Sequence, residues 1–495
     1  MTQQVSNTSK AIKGMSSQTI VTIILGIVEI VSFSIMSRLL TQQDFGYYAA
    51  ITAVTVVFSS FSETGIGSAI IQKKEINDRY INNAFTLSFL FGLFVSILMF
   101  SLAKPVSIVV ADRTMAIPLM LMSITLLSNC LTSVNTSIMY RRLEFLRVGI
   151  INLIALVVTT IVAIVLAIKG FGYYAILVKA ILTSLLTLVL SWVMAKTRYN
   201  FALDMATFKS IFSFSGWLMA SVFFRNLAHQ LDRLLMTRLL SVQTLGAYNR
   251  PKDFISQISN KFGGIFDTAL FPVLSQIQDN YKSMKNAYLR SLYLMNVVSI
   301  VLSLGFVFNG ELIIRIFFGE EWFSVLPVFQ ILSIAIIFNF DGRLADCYLR
   351  SLGWTRQQFF FRILEVALKI VGMIIGCHWG VVGVALSVLI TDVLTILIKH
   401  SFIAQRIGIE LKEGASALFE SLKVGVTITP FMIGLQIVMR TDIVGEIALL
   451  CAYLILTLLC FLFLPSIVGK EYKETIYPKV LNVCKSIKNA VVRIL

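Results

Sequence analysis

Apolar runs of about 20 residues, the length a helix needs to cross a bilayer, recur along this 495-residue chain almost from end to end. Fourteen can be marked, over 19–40, 45–67, 82–103, 115–137, 147–168, 172–194, 211–238, 246–276, 288–308, 324–349, 359–377, 380–400, 423–439 and 443–465. Hydrocarbon offers no partner to a free N–H or C=O, so a chain of this kind must satisfy its backbone within each helix or within a closed barrel. The short alternating segments of a barrel are missing here. With 57% hydrophobic and 14% charged residues, the chain also has too little polar surface for a soluble globule. The expected class is an all-α integral membrane protein of about 14 helices embedded in a lipid bilayer.

Basic residues fix the expected orientation, because Lys and Arg collect in short cytoplasmic loops. With the N-terminus inside, the inner segments take Lys73, Lys74 and Arg79, then Arg141, Arg142 and Arg147, then Lys282, Lys285 and Arg290, and so on to Lys399, Arg406 and Lys412. The outer segments take little beyond Arg38, Lys104, Arg113, Lys169, Arg238, Arg315 and Arg440. Fourteen spans then put both termini in the cytoplasm. The first span follows a polar segment with no small-residue cleavage site after a short apolar core, which marks it as retained. The net charge of +16 is therefore mostly a topology signal and calls for no nucleic-acid partner. The tail, 467–495, carries Val480, Val483, Ile487 and Val491 at helical spacing among lysines, the pattern of a basic amphipathic segment lying on an anionic leaflet.

One stretch returns. Residues 38–48 read RLLTQQDFGYY and residues 238–248 read RLLSVQTLGAY. Arg38 closes the first span and Arg238 the seventh, so the shared stretch is the same outer turn in two six-helix units. Six being even, both units enter from the same side, as parallel repeats do. The expected organisation is an N-lobe over 1–205, a C-lobe over 206–410, two further spans over 411–466, and the tail. Two such lobes usually serve transport by alternating access.

Ionisable side chains inside spans are costly and mark function by default. The seventh span places Arg225, His229, Asp232 and Arg233 on one face, with Trp217 two turns before Arg225. The eighth carries a polar stripe through Arg250, Asp253, Gln257, Asn260, Lys261 and Asp267, after Tyr248. The tenth adds Arg343 and Asp346, the eleventh Glu365 and Lys369, the twelfth Asp392, and the first lobe Glu29, Glu63 and Lys179. Cations and anions are nearly equal in number, and Glu365 with Lys369 and Asp232 with Arg233 read as ion pairs. Arg225, Arg233, Arg250, Lys261, Arg343 and Lys179 are candidates to hold an anionic head group, with Trp217 and Tyr248 as rings for a sugar. Glu63, Asp232, Asp253, Asp267 and Asp346 are candidates for counter-ions or for coupling to an H+ or Na+ gradient. The six cysteines and three histidines form no disulfide framework and no metal-ligand spacing, so no cofactor is expected and no catalytic residue is nominated.

The runs SRLLTQQDFGYYAAITAVTVVFSSFSETGIGSAIIQKKEI, YRRLEF at 140–145, FSGWLMASVFFRNLAHQLDRLLMTRLLSVQTLGAYNR at 214–250 and FPVLSQIQDN at 271–280 resemble the polysaccharide transporter family. Within it they are similar to the Wzx-type flippases related to colanic acid exporters, in the multidrug/oligosaccharidyl-lipid/polysaccharide exporter superfamily. The resemblance weakens after about residue 410. It implies a V-shaped pair of lobes of twelve helices and outward flipping of an undecaprenyl-diphosphate-linked oligosaccharide across the bacterial inner membrane. The product would feed an O-antigen, capsule or exopolysaccharide, with a polymerase and ligase as downstream partners. The family supplies no short site motif, so the candidate residues rest on charge geometry. Two other readings stay open: an ion-coupled exporter of a drug or a peptidoglycan precursor on the same fold, and a polytopic polymerase, which would place its chemistry in a long outer loop.

Overall fold

The computed structural model describes residues 21, 24–62, 66–72, 76–109, 113–197, 199–202, 204, 223–224, 226–227, 229–438 and 443–463. Among these every regular element is helical and there is no strand. The helices are α1 (24–39), α2 (Gln42–Ser62), α3 (Ile66–Gln72), α4 (Asp78–Val109), α5 (Ala116–Arg141), α6 (Phe145–Ile168), α7 (Tyr173–Ala195) and α8 (229–239). They continue as α9 (Val242–Gln276), α10 (Tyr281–Phe308), α11 (Gly310–Phe317), α12 (Leu326–Ser351), α13 (Thr355–Gly376), α14 (Gly380–Ile407), α15 (Leu411–Val438) and α16 (Ile443–Phe463). Nine helical stretches among the described residues are long and apolar enough to cross a membrane; one of them, Arg356–Ile407, runs through both α13 and α14. The chain is thus a multi-pass membrane protein.

Two compact units form, one of Met1–Asn249 with Phe317–Gly319, the other of Arg250–Ile316 with Glu320–Leu495. Packing sets this boundary, whereas the sequence repeat places its own at 205/206. The first turns of α9 belong to the first unit because Gly246 packs on α2: a Cβ there would run into the Gln42 carbonyl and stand 2.9 Å from the Gly46 amide nitrogen. A Cβ on Gly46 would run into the Val242 carbonyl. The contact is reciprocal, since position 46 meets 242 and position 246 meets 42. Only glycine lets the two helix starts approach this closely.

The duplicated turn is capped alike in both copies. Thr41 Oγ1 accepts from the Asp44 amide at 3.2 Å while Asp44 Oδ2 accepts from the Thr41 amide at 3.0 Å, a reciprocal capping box. Ser241 Oγ accepts from the Thr244 amide at 3.1 Å. Asp44 Oδ1 also accepts from the Tyr173 amide at 2.9 Å, which ties α2 to α7.

Three further turns repeat in backbone geometry where the sequence shows little identity. Between α5 and α6, Arg142 (φ −79°, ψ 2°), Leu143 (φ 59°) and Glu144 (φ −86°, ψ 46°) match Leu352 (φ −88°, ψ 2°), Gly353 (φ 72°) and Trp354 (φ −83°, ψ 46°) between α12 and α13. Gly172 (φ 55°, ψ −138°) opens α7 as Gly380 (φ 66°, ψ −151°) opens α14. Lys196 and Gly408 close those helices in the left-handed conformation.

In the second unit α15 and α16 are built into the core. Val424, Ile428 and Met432 join Tyr293, Val297 and Tyr453 in one buried cluster, and the Arg315 guanidinium meets the buried Glu446 carboxylate at 3.0 Å.

Candidate functional site

In the first unit, the polar contacts among α5, α6 and α7 are made by neutral groups. Ser184 Oγ donates to Asn129 Oδ1 at 3.0 Å, Asn135 Nδ2 donates to Ser191 Oγ at 3.0 Å, and the Thr159 and Thr183 hydroxyls meet at 2.8 Å. The Tyr199 phenol, just past α7, donates to Asn135 Oδ1. Burial raises its pKa against the opposing pull of Thr197 and Arg142, which keeps the proton on the donor. Into this neutral seam α7 brings one cation, Lys179, whose Nζ donates to Ser32 Oγ at 2.6 Å.

The second unit holds a six-membered ion network across α12, α13 and α14. Arg362 pairs with Asp346 and, at 3.0 Å, with Glu365. Lys369 bridges Glu365 at 3.0 Å and Asp392 at 3.2 Å. Lys399, with 3% of its side chain exposed, reaches Asp346 at 3.2 Å and Glu365 at 3.6 Å. Three cations therefore face three carboxylates, and every carboxylate has a cation from another helix. Such a set, with three charges of each sign, ties the three helices together.

Several sequence expectations change in consequence. Asp346, nominated as a coupling group, is a structural member of this network. Lys399 and Arg362, assigned to inner loops by the charge pattern, are instead drawn into it, Lys399 fully buried. The pairing of Glu365 with Lys369 is present. Arg362, Glu365 and Lys369 at steps of three and four on one face were the available signal. Tyr248, expected to offer a ring to a sugar, has no exposed surface. Its hydroxyl donates to Asp232 Oδ2 at 3.2 Å, and the Arg233 amide donates to Asp232 Oδ1 at 2.9 Å. Asp232 is buried at 6% exposure, so Asp232 and Tyr248 form a packed pair in this conformation.

The remaining candidates fall in three places. Glu63, Trp217 and Arg225 lie outside the described residues, and Asp267 lies on α9 with its side chain outside them. Arg250 and Asp253 are half-buried on α9, and Lys261 is exposed on the same helix. Arg343 reaches from α12 to α9, where its Nη2 donates to Asn260 Oδ1, next to Lys261. Lys261 is the sequence neighbour of that acceptor, and a guanidinium, with its fork of N–H donors, is the group here best suited to an anionic ligand.

Membrane-length helices with ionisable groups buried among them define a polytopic membrane protein. The chain belongs to the polysaccharide biosynthesis protein family, whose match spans residues 35–327. It is 23% identical over 394 residues to the lipopolysaccharide biosynthesis protein WzxC of Escherichia coli (strain K12), covering 79% of this chain and 80% of that protein. It is 22% identical over 342 residues to the succinoglycan biosynthesis transport protein ExoT of Rhizobium meliloti (strain 1021), covering 68% of each. Among solved structures, the lipid II flippase MurJ in its inward closed conformation superposes with a TM-score of 0.68 at 15% identity, over 90% of this chain and 98% of MurJ. That likeness is one of fold. Of these relatives, ExoT is named as a transport protein.

Proposed function

We propose that this protein is a flippase that moves an undecaprenyl-diphosphate-linked oligosaccharide from the cytoplasmic to the periplasmic leaflet of a bacterial inner membrane. The observation that carries this reading is the family match over residues 35–327, which takes in both copies of the duplicated outer turn. In this reading two parallel six-helix lobes alternate access, two more helices follow, and both termini are cytoplasmic. The diphosphate is met by Arg343 and Lys261, with Arg250 as a further cation. A gradient of H+ or Na+ drives the cycle, and a polymerase or ligase consumes the product. The physical need is clear: an unshielded diphosphate in hydrocarbon would cost tens of kcal/mol in the idealised limit. The tail can stay in lipid while only the head group crosses a polar interior.

Deletion in the native host, followed by extraction of lipid-linked sugars, tests it. Completed repeat units should accumulate on the cytoplasmic face and clear when the intact gene returns. Complete units already on the outer face, unpolymerised, would assign the protein to polymerisation. An unchanged lipid-linked pool would assign it a different cargo.

A further inference from the structure

Arg343 is seated on α9 through a missing side chain. A Cβ at Gly263 would stand 3.0 Å from Arg343 Cδ, 3.0 Å from its Nε and 3.2 Å from its Cζ, while Asn260, one turn earlier on the same helix, accepts from its Nη2. The next residue, Gly264, differs in one respect: a Cβ there meets no described atom within 4 Å. Two adjacent glycines on one helix thus carry the same backbone chemistry, and only one lies under the guanidinium.

We infer that Gly263 and Asn260 are positioning residues that set the guanidinium of Arg343 for a diphosphate head group. The inference rests on the reading of Arg343 as a head-group cation. A guanidinium binds phosphate oxygens through N–H groups in a fixed plane, so its orientation decides whether two bonds form or one. Asn260 holds one edge of that plane by accepting from Nη2. Gly263 lets the stem and Nε lie against the helix, where any larger residue would lift them by a few tenths of an ångström. The atoms an alanine would crowd are the far part of a flexible side chain, not backbone. The fold can therefore absorb Gly263→Ala while the guanidinium moves. Alanine also favours the helix more than glycine does, so loss of function with retained folding is the expected phenotype.

The test uses the purified full chain in lipid nanodiscs, with inorganic pyrophosphate as the probe and calorimetry as the readout. Displacing a reacting or binding group by about 1 Å can cost two orders of magnitude, so Gly263→Ala should weaken pyrophosphate binding about tenfold. Gly264→Ala should leave it unchanged. In an Arg343→Ala background the further change Gly263→Ala should have no effect, because the side chain it displaces is gone. Asn260→Leu, which removes the acceptor, should behave like Gly263→Ala in both backgrounds and serves if the alanine variant fails to accumulate. Equal losses from Gly263→Ala with and without Arg343, or equal losses from the two glycine variants, would overturn the positioning role. Wild-type binding by Arg343→Ala would remove Arg343 from the head-group site and the positioning role with it. Neither result touches the flippase reading, which the lipid-linked sugar pool decides separately.

Discussion

The helix trios α5–α7 and α12–α14 share the backbone geometry of the turn after their first helix and of the opening and close of their third, yet they are held together by opposite chemistry. The first uses hydroxyls and amides: Asn129 with Ser184, Asn135 with Ser191, Thr159 with Thr183. The second uses ions: Arg362, Lys369 and Lys399 against Asp346, Glu365 and Asp392. Counting forward from the matched turn that precedes each helix, Lys369 occupies the position of Thr159, Asp392 that of Ser184 and Lys399 that of Ser191. The scaffold therefore tolerates either kind of fastening. What differs is the penalty for a single loss: a lost neutral bond strands a polar atom, while a lost ion strands a charge in a low-dielectric interior.

The largest effect should come from Lys399→Met. It leaves Asp346 and Glu365 short of a cation, and breaking a buried pair by removing one partner costs about 3–5 kcal/mol. Reversible unfolding in mixed micelles would measure it. A loss below about 1 kcal/mol, the range of exposed pairs, would show that the network is hydrated and the contrast between the trios false. Next come Gly46→Ala and Gly246→Ala, where the added methyl meets a backbone carbonyl that cannot rotate away. Overpacking costs about 1–3 kcal/mol, and these should lie at its upper end. Because the contact is reciprocal, the two losses should be similar by the same unfolding measurement, and a one-sided loss would break the symmetry of the crossing.

In the neutral trio, Asn135→Leu removes the acceptor of the Tyr199 phenol and a donor to Ser191, whose hydroxyl still donates to the Leu188 carbonyl. Stranding buried polar groups costs about 1–3 kcal/mol, so the loss measured as above should stay below that for Lys399→Met. A larger loss would mean that the first trio is the more tightly fastened of the two.

Much of this was legible in the chain. The apolar runs gave the class, and the identity between residues 38–48 and 238–248 pointed to the turn whose two copies touch at Gly46 and Gly246. The other repeated turns were hidden because backbone angles, not side chains, are what they share: Leu143 and Gly353 take the same left-handed conformation with unrelated side chains. The site was less legible. Charge counting assigned Lys399 to an inner loop because a lysine near a helix end looks the same in sequence whether it reaches to water or turns inward. Tyr248 read as an available ring because one helix's sequence does not say which neighbour will cover it. Asp346 could be picked out as a carboxylate within an apolar run, but its ion pairs depend on Arg362 and Lys399, which lie on two other helices.

The smallest effect should be the most informative. Lys369→Thr combined with Asp392→Ser places at those two positions the residue types that the first trio has at Thr159 and Ser184. The change removes one cation and one anion together, leaving Arg362 and Lys399 against Asp346 and Glu365, still balanced. Removing both members of a buried ion pair avoids the stranded charge that makes single losses costly, so the double variant should lose less stability than either single variant. Each single variant should lose more, since either one leaves the network with an odd charge. The double-mutant cycle should therefore give a large coupling between residues 369 and 392. If the two losses simply add, the pair is not the unit of stability, and the equivalence of the trios ends at their turns. If the double variant is stable but surface polysaccharide falls in the complemented deletion strain, the network's charge serves transport as well as folding, and the ionic trio differs from the neutral one for a functional reason.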